Sequence, residues 1–147
     1  MAAMFVVLGG LCAISNVTVI AALGASTFIA FTMPQHRVAR VRYLVGGYVI
    51  GTIAGTLAWW LMHITPLPQQ VWAIDNYPHA VFGATAVGVA IFAMVVTNTA
   101  HPPAAGVALG ITVMEQWSWL TPVVVLGGIL GLCGAKALLR PLLRDLL

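Results

Sequence analysis

Charged residues are what this sequence most conspicuously lacks. Of its 147 residues only 6% are charged and 61% are hydrophobic, whereas soluble domains contain about 25% charged residues. A folded chain this poor in charge cannot cover a water-facing surface. The composition therefore excludes a soluble enzyme, a disordered chain and a coiled coil. It predicts one domain over residues 1–147, with lipid as the solvent for most of it.

The few cations form two groups. They are Arg37, Arg40 and Arg42 in one, and Lys136, Arg140 and Arg144 in the other. Two such small groups make no binding stripe for nucleic acid. The positive-inside rule instead places residues 35–42 and the C-terminus in the cytoplasm, and we expect the membrane to be a bacterial plasma membrane. Cys12 and Cys133 each lie in an apolar run and are predicted to be buried thiols.

Runs without charge that exceed one membrane thickness predict interrupted helices. Residues 1–33 and 76–114 are each too long for a single helix across a hydrocarbon core of about 30 Å. Ser15-Asn16 and the small polar residues at 24–27 are the candidate breaks in the first run, and the prolines after residue 97 break the second. We therefore expect an all-α, polytopic transmembrane helix bundle. Its four long helices lie near 3–20, 43–62, 79–97 and 120–139, with two short or broken half-helices near 24–33 and 102–114.

The predicted elements repeat in the same order in the two halves of the chain. Residues 1–63 and 79–140 each contain a long helix, a break, a short helix and a long helix. Three crossings per half would place the two halves in opposite orientations, an architecture common among transporters.

The two breaks are the candidate site. Helical N-termini carry free amides and partial positive charge, so two half-helices that begin near one another can bind an anion without a buried arginine. The predicted substrate-binding residues are Gly24, Ala25, Ser26, Thr27, Thr97, Asn98, Thr99, His101, Pro102, Pro103 and Ala104. His101 is an ionisable group at membrane depth and so a functional candidate. Its imidazole can equally donate a hydrogen bond to a backbone carbonyl that the prolines leave free.

Other kinds of chemistry have no support in the sequence. No nucleophile, base and acid come together, no metal-ligand spacing occurs, and no phosphate loop is present, so we expect no enzyme, no metal and no cofactor. The glycines Gly47, Gly51 and Gly55 share one helix face and favour helix packing over a pore. The expected partners are the lipid bilayer, a small inorganic anion and further copies of the chain. The alternative function is a non-transporting module that packs against a partner or anchors a lost regulatory domain.

The stretch Thr99-Ala100-His101-Pro102-Pro103-Ala104-Ala105-Gly106 resembles the signature of the HPP family of small integral membrane proteins. Further elements agree in order and spacing, namely Gly24-Ala25-Ser26, Pro34 after it, a basic loop, and Val45-Gly46-Gly47. The resemblance extends from about Ala21 to Leu139.

The resemblance implies four membrane helices and small-anion transport, because members are associated with nitrite transport. The motif positions carried over are Gly24, Ala25, Ser26, His101, Pro102 and Pro103. The sequence departs from the family pattern at Tyr43, Tyr48 and Ala105, where asparagine, histidine and glycine are common. If those side chains touch the substrate, nitrite is in question for this chain.

Overall fold

The computed structural model describes residues 17–66, 68 and 77–139, and the helices in these ranges form a bundle. The helices are α1 Val17–Thr32, α2 Val41–Ile64, α3 Tyr77–Val96, α4 Pro102–Thr112 and α5 Leu120–Leu139. A single 3-10 turn at Arg37–Ala39 separates α1 from α2. The predicted all-α membrane bundle is confirmed.

Three helices, α2, α3 and α5, are long and apolar enough to cross a membrane. Each begins and ends within two residues of its predicted bounds, because an uninterrupted apolar run of about 20 residues leaves little choice of register. The described part of the chain therefore has three long helices where four were expected. The fourth, near residues 3–20, falls mostly outside the described residues.

The predicted break at Gly24 is wrong. Helix α1 runs without interruption from Val17 to Thr32. The hydroxyl of Ser26 donates to the Ala22 carbonyl at 3.1 Å, and that of Thr27 donates to the Leu23 carbonyl at 2.8 Å. Such bonds to the preceding turn satisfy the hydroxyls inside the helix, so small polar residues do not end it.

The predicted break after residue 97 is real, and it begins with a left-handed residue. Asn98 has φ of 52°, a conformation that asparagine tolerates better than most residues. The Thr99 amide donates to the Met94 carbonyl at 2.8 Å, which is the bond that closes a Schellman cap. The chain then extends to His101 and restarts at Pro102, where proline suits the first turn of α4.

Helix α4 lies in a groove that glycines open on α2. A Cβ atom added at Gly51 would lie 2.2 Å from the Ala104 carbonyl oxygen, and one at Gly55 would lie 2.7 Å from that of Ala108. No side chain fits at these distances. The packing role predicted for Gly47, Gly51 and Gly55, which we call the glycine stripe, is confirmed.

The segment from Thr97 to Met114 returns the chain along the length of α2. At one end Arg42 Nη2 donates to the Thr97 carbonyl at 3.2 Å, and at the other Trp59 Nε1 donates to that of Met114 at 2.9 Å. Along a helix Arg42 and Trp59 are about 26 Å apart. A short helix with an extended lead thus covers most of a membrane thickness.

Helices α1 and α4 run in opposite directions. Ser26 contacts His101, while an atom added at Gly106 would meet Ala22 at 3.6 Å. Opposite directions are what an inverted repeat requires. The repeat itself stays a prediction, since most of its first helix lies outside the described residues.

One end of the bundle, which we call the basic end, is defined by residues 33–42 and the ends of α3 and α5. The Arg37 guanidinium donates to the Asn98 side-chain oxygen and to the Tyr43 hydroxyl. Lys136 Nζ donates to the Pro34 carbonyl at 2.9 Å and also to that of Ala39. The basic residues therefore tie this loop to the helix ends as well as marking orientation.

Candidate functional site

The two sequence motifs meet in a buried polar cluster formed by Ser26, Tyr48 and His101. Ser26 Oγ lies 2.8 Å from Tyr48 Oη and 2.8 Å from His101 Nε2. All three side chains have 0% exposure. Helices α1 and α2 and the start of α4 each supply one member, so the cluster exists only when all three pack together.

The hydrogen-bond partners assign the proton positions in this cluster. His101 Nδ1 lies 3.1 Å from the Val38 carbonyl, and a carbonyl only accepts, so Nδ1 carries the proton of the neutral ring. The single proton of Ser26 is within reach of both Nε2 and the Ala22 carbonyl, and Tyr48 donates to Ser26 Oγ. When Ser26 donates to Nε2, the cluster is a directed chain from Tyr48 through Ser26 and His101 to the loop carbonyl.

The same cluster can take up one proton without losing a hydrogen bond. Protonation makes Nε2 of His101 a donor to Ser26 Oγ. The Ser26 hydroxyl can then turn to the Ala22 carbonyl, which already lies 3.1 Å away. No Asp or Glu occurs in the described helices, so the added charge would not be neutralised by a carboxylate there and would favour a nearby anion.

Side chains, not free amides, join the two motifs. Helix α1 has no N-terminus at Gly24, which removes one of the two predicted anion-binding helix ends. In α4 the first two residues are prolines without an N–H, and the Ala104 amide donates to the His101 carbonyl at 2.9 Å. The expected pair of opposed amide clusters is therefore absent from this part of the chain.

The other predicted site residues separate into three groups. On α1, Gly24 and Ala25 point away from the cluster, while Thr27 is buried beside it and bonds only within its helix. In the break, Thr97 and Asn98 belong to the basic end, and Thr97 Oγ1 lies 2.8 Å from Thr99 Oγ1. Thr99, Pro102, Pro103 and Ala104 supply backbone and packing, with Thr99 against Gly46 and Ala104 against Gly51.

The cluster lies on the basic-end side of the middle of the bundle. Tyr48 is about 10 Å along α2 from its first residue, while the midpoint of that helix is at about 18 Å. The cluster is therefore about 8 Å from the middle of α2. A half-open, apolar groove of about 200 Å³ adjoins His101, and two of the residues that line it, Ile91 and Val95, are exposed.

Tyr48 is the residue that sequence reasoning missed as a site member. It attracted notice only as a departure from the family pattern, whereas it supplies a hydroxyl to the centre of the cluster. Its place one residue after Gly47 on a closely packed helix face is the available signal. Tyr43, the other departure on α2, bonds Arg37 and Asn98 outside the cluster.

These features define a helical integral membrane protein with a buried hydroxyl and imidazole cluster where two motifs meet. Comparison with known proteins then gives the family. The family model described as HPP, transmembrane region, matches residues 1–144, and the chain belongs to this family. No curated protein and no solved structure matches the chain.

Proposed function

We propose that this protein transports a small monovalent anion, such as nitrite, across the membrane by way of the Ser26, Tyr48 and His101 cluster. The observation that carries the proposal is the buried contact between Ser26 and His101 at 2.8 Å. A polar cluster buried in a membrane protein is costly to keep and marks a functional site by default. The proposed role is that of a carrier or channel, not of an enzyme.

The cluster offers an anion the kind of site it needs. Two hydroxyls and an imidazole are hydrogen-bond donors, and the proton that His101 can accept would supply a positive charge only when required. The adjoining groove is lined by apolar residues, so the donors for the anion are those of the cluster. We propose that the anion and this proton bind together and that the closed cluster opens to exchange them.

The basic end would face the cytoplasm of a bacterium. The Arg37, Arg40 and Arg42 group and Lys136 lie there, as the positive-inside rule expects of a cytoplasmic surface. In this orientation the cluster receives its anion from the cytoplasm by a shorter route than from the outside.

A second candidate is a module that associates with further copies of the chain without transporting. The observation in its favour is on α5, where atoms added at Gly127, Gly131 and Gly134 would meet nothing within 4 Å. Outward-facing glycines allow another helix to approach closely. The same face would serve a homo-oligomeric transporter.

Uptake into proteoliposomes tests the proposal. Nitrite uptake by the wild type is compared with Ser26→Ala, which removes the hydroxyl without adding volume, and with His101→Gln. We expect at least tenfold lower uptake for both variants, and higher wild-type uptake at lower pH after subtraction of protein-free liposomes. Thr85→Val is the control, because Thr85 is exposed and bonds only its own helix. Equal uptake by all four proteins, or none above the liposome background, would favour the packing module.

A further inference from the structure

Three buried polar atoms have no hydrogen-bond partner within the described residues. They are Thr52 Oγ1, Thr56 Oγ1 and Trp117 Nε1. Other helical hydroxyls, such as those of Thr27 and Thr112, bond to the preceding turn. A buried polar atom without a partner is costly, and it is commonly explained by a water or an ion that completes its bonding.

Thr52 and Thr56 follow one face of α2 away from the cluster. With 3.6 residues per turn, the positions of Tyr48, Thr52, Thr56 and Trp59 fall within an arc of about 80°. Trp117 continues this face, because its ring stacks on that of Trp59 with centroids 5.6 Å apart. We call Tyr48, Thr52, Thr56 and Trp117 the polar line.

The unpartnered polar atoms of the line are buried in the protein, although the side chains of Thr56 and Trp117 are partly exposed. Thr52 has 4% exposure, whereas Ile53 and Leu57 on the outer face of the same helix have 54% and 58%. The glycine stripe that holds α4 lies beside the line on α2. Partners for these polar atoms therefore have to come from inside the bundle.

We propose that the polar line is a hydrated route for the transported anion, leading from the cluster to the end of the bundle opposite the basic end. This inference rests on the proposed function and assigns to Thr52, Thr56 and Trp117 a role in permeation. Hydroxyl and indole N–H groups donate to an anion as it sheds water, and they carry no fixed charge that would hold it. The cluster then controls access at one end of the route.

Substitution of Thr52 tests whether its unpartnered hydroxyl serves anion permeation or is only a defect in packing. Thr52→Val keeps the shape of the side chain and removes an unpartnered hydroxyl, so it should leave thermal stability unchanged or raise it. We expect it to lower nitrite uptake in proteoliposomes at least tenfold, while Thr52→Ser keeps at least half and Thr85→Val has no effect. Uptake by Thr52→Val equal to the wild type would overturn the proposal.

A second measurement tests whether water reaches the polar line, without relying on transport. In a chain with Cys12 and Cys133 replaced by alanine, Thr52→Cys should react in the bilayer with a small water-soluble thiol reagent. Ile53→Cys, one residue away on the outer face, should not, because lipid excludes the reagent and the thiolate. Equal lack of reaction at both positions would contradict a hydrated line. If the wild type transports nothing, the proposed function fails, while this labelling still decides whether the line holds water.

Discussion

Two polar segments interrupt otherwise apolar sequence, but one lies within a continuous helix and the other separates two helices. At Gly24–Thr27 the helix continues, because Ser26 and Thr27 bond the carbonyls of the turn before them. At Thr97–His101 it ends, because Asn98 takes a left-handed conformation that caps α3. Polarity alone therefore does not break a membrane helix. A break needs a residue that tolerates left-handed backbone and a means of bonding the carbonyls left behind.

The second segment also needs a partner surface that the first does not. The extended residues and α4 lie directly on the glycines of α2, whereas an atom added at Gly24 meets nothing within 4 Å. Changes that disturb this partner surface should have the largest effect on stability.

Gly51→Ala should be the most damaging single change. The added Cβ would lie 2.2 Å from a backbone oxygen of α4, and backbone cannot move aside as a side chain can. We expect a loss of about 3 kcal/mol in the free energy of unfolding, at the upper end of overpacking effects, measured by denaturant titration in detergent. The matched Gly24→Ala should be neutral or stabilise by up to about 1 kcal/mol, as helix propensity predicts. Similar losses in both variants would remove the contrast between the segments.

Asn98→Val should destabilise by about 2 kcal/mol. A β-branched residue is disfavoured in the left-handed conformation by about 1–2 kcal/mol, and Arg37 also loses its acceptor. Asn98→Gly, which restores the backbone freedom but not the acceptor, should recover part of the loss. Thermal unfolding of the three proteins in the same detergent checks this order, and an Asn98→Val protein as stable as the wild type would refute the cap.

Ser26→Ala should cost about 1–2 kcal/mol and leave the helix intact. The loss arises because His101 and Tyr48 are left buried with one hydrogen bond fewer each. Far-UV circular dichroism should show unchanged helix content, because the Ser26 hydroxyl does not set a helix end. The control Thr27→Val, which removes a bond inside one helix only, should cost less. A marked drop in helix content on Ser26→Ala would mean that this segment is a break after all.

Pro102→Ala should have the smallest effect, below about 1 kcal/mol. The residue is exposed at the first turn of α4, where proline is tolerated but not required. Because Asn98 ends α3 before the prolines are reached, we expect the break to persist in thermal unfolding and circular dichroism. A loss of stability as large as that of Asn98→Val would show that the prolines, and not Asn98, cause the break.

Length and hydropathy were sufficient to predict α2, α3 and α5, and the two prolines were sufficient to predict where α4 begins. The continuity of α1 was not predictable from composition, because it depends on where the Ser26 and Thr27 hydroxyls point. Ser26 and His101 were both named as candidates, and the structure brings them together. Tyr48 was not, since its contact with Ser26 arises only when α1 and α2 both pack against α4.

A double-mutant cycle between Ser26 and His101 tests the central claim most directly. Unfolding free energies are measured for the wild type, Ser26→Ala, His101→Gln and the double variant in one detergent. If the two segments meet through the 2.8 Å hydrogen bond, the unfolding free energies lost in the two single variants should sum to about 1 kcal/mol more than the loss in the double variant. Losses that add to within about 0.3 kcal/mol would show that Ser26 and His101 do not interact, which would contradict the account.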